Sequence, residues 1–142
     1  MDENYILSVT GKQTVDGQSD KIELQTPAAY MTKNGVRYIT YKEYDANCPD
    51  RVFRTTVKVD QDGIVTIMKG GTEKHHLILE KGVRHKCEYV TSFGSLSLGI
   101  YTESVRNNLN DNGGELEVCY SIDIGAELAS TNELHLKIKE AL

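Results

Sequence analysis

Apolar and polar residues alternate with a period of two through most of the chain. In ELEVCYSIDI (115–124), Leu116, Val118, Tyr120, Ile122 and Ile124 share one side. Glu115, Glu117, Ser121 and Asp123 share the other, where Cys119 is the one apolar exception. NELHLKIK (132–139) repeats the device with Leu134, Leu136 and Ile138, SLSLGIYT (95–102) with Leu96, Leu98 and Ile100, and FRTTVKV (53–59) with Phe53, Thr55, Val57 and Val59. Such alternation marks a strand with one buried and one wet face.

Turn signals separate these runs: VDGQSD, KNG, DQDG, KGG, EKG, FG and NDNGG. Asn-Gly and Asp-Gly supply the positive φ that tight hairpins demand. Nine or ten strands are expected, near 4–14, 20–32, 36–44, 52–60, 63–69, 73–80, 85–92, 94–107, 114–125 and 131–139. The least regular connection surrounds Cys48, Pro49 and Asp50. A flat meander of this length would leave one apolar face uncovered, and curling it shut buries that face and removes the edges. The expected fold is therefore all-β, an antiparallel up-and-down β-barrel, with a two-sheet sandwich as the alternative.

The 142 residues suit one domain, spanning 1–142, large enough to bury a core without staples. The net charge of −5, with the cations dispersed, argues against a nucleic-acid partner. Three cysteines at wide spacing, Cys48, Cys87 and Cys119, give neither a disulfide framework nor a zinc pattern. The acidic N-terminus is not a signal peptide, and no run is long enough to span a bilayer. A reduced, cytoplasmic protein is the simplest expectation, with no membrane association.

One stretch looks chemical. KHHLILEKGVRHKC (74–87) holds three of the four histidines. Read as a hairpin of 73–80 and 85–92, it points His75, Leu77 and Leu79 one way and His76, Ile78 and Glu80 the other. His85, Cys87, Tyr89 and Thr91 share a face of the returning strand, and if it is the face that holds Leu77 and Leu79, His75, His85 and Cys87 converge inside the barrel as an open zinc site would need. At about 3.3 Å per residue, however, His85 beside the turn and His75 at the far end stand too far apart for one shell. The expectation is an ordinary hairpin with no metal and no cofactor. Nucleophile motifs are missing too: the serines of FGSLSLG (93–99) alternate outward, and Gly-rich KGG (69–71) and NGG (112–114) lack the helix that would hold a phosphate.

Polar groups on inward faces are more telling. YKEY (41–44) puts Tyr41 and Glu43 on one side of a strand with Ile39, while Tyr89 and Tyr120 fall on apolar faces. A barrel that holds a ligand combines an apolar lining with a few such orienting groups.

YVTSFGSLSLGIYT, GGELEVCYSIDI and NELHLKIK, with YITYKEY (38–44) and LILEKG (77–82), resemble the YwiB-like family of small bacterial proteins of unknown function. The resemblance runs over nearly the whole chain. It departs from the family pattern at Ser92, where Pro is usual, and at Lys69, where Arg is usual. It implies a calycin (lipocalin-like) β-barrel and no particular activity, and the lipocalin G-x-W signature is absent because the chain has no Trp.

Together these readings lead to a non-enzymatic barrel that binds a small, partly apolar molecule. Phe53, Tyr89, Leu98 and Tyr120 would line the interior, and Tyr41, Glu43 and Lys69 would make polar contacts. The runner-up is a filled barrel acting as an interaction module or homodimer through its outer face. A third reading is an enzyme with Glu43 as general base.

Overall fold

The computed structural model describes residues 3–45, 48–70, 75–91 and 93–141, and for residues 45, 48, 49, 51, 75 and 89–91 the backbone path alone. Ten strands follow one another: β1 (Tyr5–Val15), β2 (Gln18–Lys33), β3 (Val36–Asp45), β4 (Cys48–Val59), β5 (Val65–Lys69), β6 (His75–Leu79), β7 (Arg84–Thr91), β8 (Gly94–Asn110), β9 (Gly113–Ile124) and β10 (Glu127–Glu140). All lie in one antiparallel sheet, in the order β6-β5-β4-β3-β2-β1-β10-β9-β8-β7. The meander has curled until its first and last strands pair, with Leu7 opposite Ile138 and Val9 opposite Leu136. The expected up-and-down barrel is present and nearly closed. No helix among the described residues is long and apolar enough to cross a membrane.

The turns follow their chemistry. Asp16-Gly17 and Asn34-Gly35 both have positive φ at each position, the geometry that lets a two-residue loop match the twist of its strands. Cys48, Pro49 and Asp50, expected in a loop, instead begin β4, where Cys48 pairs with Asp45. The connection itself, residues 46 and 47, lies outside the described residues, as do Gly71 and Ser92.

One expectation is overturned. The segments 73–80 and 85–92 do not form a hairpin: β6 and β7 stand at opposite ends of the sheet order and flank the seam of the barrel. The turn between them spends its backbone elsewhere. The Gly82 amide donates to the Thr102 carbonyl of β8 at 2.8 Å, and Lys81 forms a parallel bridge with Thr102. The chain leaving the turn is thereby delivered to β8, and Arg84–Thr91 ladders there instead of folding back on β6.

Side-chain burial differs between the two ends. Leu7, Ile39, Val57, Leu79, Ile100, Leu116 and Leu136 are fully buried toward the end carrying the β2–β3, β4–β5, β6–β7 and β8–β9 turns. Each contributes about 1.5–3 kcal/mol of burial free energy. That end is capped by polar contacts. The Tyr30 hydroxyl donates to the Asn110 carbonyl at 2.5 Å, and Arg37 reaches the Thr32 hydroxyl at 2.9 Å and the Asp111 carboxylate at 3.0 Å. Tyr5 meets Tyr30 edge to face at 5.2 Å. Burial raises the Tyr30 phenol above its ordinary range, and Arg37 pulls the other way.

A candidate binding cup at the open end

Along each strand the inward face passes from sealed to wet. On β9, Leu116 and Val118 are buried, Tyr120 and Ile122 half-buried, and Ile124 44% exposed. On β8, Ile100 is buried, Leu98 half-buried and Leu96 43% exposed. On β1 and β2 the series runs from Leu7 and Ala28, both buried, to Val15, 43% exposed, and Leu24, 40% exposed. Register puts all of these on the core side, since directly opposed residues of antiparallel strands share a face. Half-buried Val9, Ile67, Leu77 and Leu134, packed against the core, continue the wall. The inward face is thus apolar and sealed toward one end of the barrel and increasingly exposed toward the other.

A polar group sits on one wall. Register aligns Tyr41 with Thr55, Thr55 with Lys69, and Glu43 with Phe53 across β3, β4 and β5. Thr55, wholly buried, donates to Glu43 Oε2 at 3.1 Å, and Lys69 Nζ stands 3.7 Å from the same oxygen. The buried Tyr41 phenol is pushed well above its ordinary range, first by burial and then by the neighbouring Glu43 carboxylate. Glu43 is half-buried and paired with both Thr55 and Lys69.

The expected site residues separate into two groups. Tyr41, Glu43, Phe53 and Lys69 adjoin one another on β3–β5, as above. Leu98 and Tyr120 lie on the facing wall formed by β8 and β9, where burial raises the Tyr120 phenol. Register places Tyr89 opposite Leu96 on the inward side, but its side chain lies outside the described residues. Alternation already places Thr55 on the inward face between Phe53 and Val57, but its role as a partner of Glu43 is one the sequence did not signal.

The histidine-rich segment makes structural contacts. His85 Nε2 is 2.9 Å from Glu80 Oε1, and the Cys87 thiol points to the His76 carbonyl across the seam at 3.5 Å. Among the described residues no three His, Cys, Asp or Glu groups are placed to hold a metal ion, and the His75 side chain lies outside them.

The outer face is different in kind. Thr10, Lys12, Lys21, Glu117, Cys119, Glu133 and His135 line a shallow groove of about 530 Å³ across β2, β1, β10 and β9. His135 Nε2 lies 3.8 Å from both Glu115 and Glu117, and Arg106 meets Glu117 at 3.2 Å. Alternating charges of this kind make a wet sheet face.

Comparison with known proteins agrees with the architecture. A family described as a domain of unknown function, DUF1934, matches residues 7–136. The chain is 30% identical over 112 residues to the uncharacterized beta-barrel protein YwiB of Bacillus subtilis (strain 168), covering 79% of this chain and 76% of that protein. The crystal structure of the ywiB protein from Bacillus subtilis superposes with a TM-score of 0.83 at 24% identity, over 97% of this chain and 92% of that one.

Proposed function

The chain belongs to the DUF1934 family of unknown function, and from its open-ended barrel we propose that it binds a small, partly apolar molecule in the interior cup without catalysing a reaction. The observation that carries this reading is the gradient of burial along the inward faces. Apolar side chains such as Leu24, Leu96 and Ile124 point to the barrel axis and remain exposed. A filled barrel gains stability by covering such residues, so leaving them wet suits a protein whose interior is completed by something else.

Glu43, Tyr41, Thr55 and Lys69 give the cup a polar side. A ligand with an apolar body lies against Phe53, Leu98 and Tyr120, and its polar group meets Lys69 and Glu43. The likeness of such a cup to calycin barrels is in keeping with this use, although fold alone assigns no ligand. Cys87 and Cys119 are free thiols, which suits a reducing, cytoplasmic setting.

The test is native mass spectrometry of protein freshly isolated from its host, paired with titration of an environment-sensitive apolar fluorophore. A retained small molecule, or saturable fluorophore binding weakened about 5- to 30-fold by Lys69→Ala or Glu43→Gln, is expected. Folded protein that arrives empty and takes up no fluorophore would rule the reading out.

A further inference from the structure

Besides the seam edges of β6 and β7, a long backbone edge on β2 has no partner strand among the described residues. From Gln18 to Pro27, β2 is laddered to β1 only, because β3 joins it from Ala28 onward. Every residue from Gln18 to Gln25 is exposed, and Ile22 most conspicuously, at 71%. A bare edge of this length is a template for another strand.

We propose that this edge pairs with the same edge of a second copy of the chain, as an antiparallel β2–β2 ladder about a two-fold axis at Ile22. A two-fold rotation normal to the sheet lays a strand antiparallel to itself and keeps its two faces matched. Such a closed, self-complementary contact is the commonest way for identical chains to pair. With the axis at Ile22, Ile22 meets its own copy, and Lys21 faces Glu23 of the second copy while Glu23 faces its Lys21. Ser19 then faces Gln25, and Gln18 faces Thr26.

The charge pattern selects this register. Moving the axis to Lys21 or to Glu23 sets two like charges directly opposite each other, which is destabilising. A strand defended against pairing usually carries a protective lysine or an inward charge. Here Asp20 is such an inward charge, yet Lys21 and Glu23 share the opposite face, 2.9 Å apart, spaced to cancel across the axis. Pro27 has no amide hydrogen to donate and ends the ladder where the β3 pairing takes over.

The oligomeric state of the full chain, read by light scattering coupled to size exclusion, tests the pairing. Lys21 and Glu23 are well exposed, so charge reversal there leaves the barrel folded, as circular dichroism will verify. Wild type runs as a dimer. Lys21→Glu alone, or Glu23→Lys alone, converts both facing pairs to like charges and raises the dimer Kd roughly tenfold or more. The exchange Lys21→Glu/Glu23→Lys returns the affinity to within about threefold of wild type. A wild-type monomer, with the edge left to a peptide strand of another protein or to none, overturns the proposal. So does a dimer indifferent to both single reversals.

Discussion

Substituting Gly114 by alanine should be among the most damaging single changes in this barrel. Its φ is +122°, a region that side chains avoid, and occupying it costs a non-glycine residue roughly 1–3 kcal/mol. A Cβ there would also lie 2.3 Å from the Asn108 carbonyl oxygen and 3.0 Å from Leu109 Cα. Both are backbone atoms of β8, so no side chain can swing aside, and forcing the two strands apart costs about 1–3 kcal/mol more. The sum, about 2–6 kcal/mol, is a large fraction of the ~5–15 kcal/mol that holds a typical domain. At about 2–4 °C per kcal/mol, the melting temperature should fall by roughly 5–20 °C, measured by thermal circular dichroism. Gly11→Ala is the control, because no heavy atom lies within 4 Å of its Cβ position and its backbone is ordinary. It should stay within about 0.5 kcal/mol of wild type. A Gly114→Ala protein melting within about 2 °C of wild type would refute the reasoning, since neither the φ cost nor the clash could then be real.

Two further outcomes can be checked by denaturation. Tyr41→Phe removes a buried hydroxyl beside the Glu43 carboxylate and should cost about 0.5–1.5 kcal/mol at neutral pH in urea titrations. The Tyr41 phenol ionises at higher pH when folded than when unfolded, so its stabilising contribution is intact below the unfolded value near 10 and is lost as pH rises beyond it. Wild type should therefore weaken more steeply than Tyr41→Phe above about pH 10, and parallel profiles would refute that assignment. Tyr30→Phe deletes the bond to the Asn110 carbonyl and should cost about 1 kcal/mol. Amide exchange at Asn110–Gly113 should quicken as the β8–β9 turn loosens, whereas unchanged protection would show that the turn is held by other contacts.

Period-two alternation made the strands legible because the inward faces really are apolar: Leu116, Val118, Leu134 and Leu136 sit where the pattern puts them. Tyr41 and Glu43 were legible for the same reason, as polar residues in phase with Ile39. What local pattern could not reveal is which strand each strand joins. EKG reads as a hairpin turn, yet the Gly82 amide serves Thr102 of a distant strand, and no spacing within 74–87 encodes that bond. The exposed end was equally hidden. Ile22 and Leu24 carry the same alternation as buried residues, and only the place where β3 leaves β2 exposes them.

Because β1 and β10 lie side by side, with the Ala141 amide donating to the Asn4 carbonyl, the strand pair most remote in sequence is the one that rounds off the sheet. Its loop-closure entropy is the largest in the molecule, so that contact forms late in folding. A circular permutant tethering residue 141 to residue 4 and cleaved within 80–83 would make every strand neighbour a sequence neighbour, and it should reach the native state faster than the natural order does.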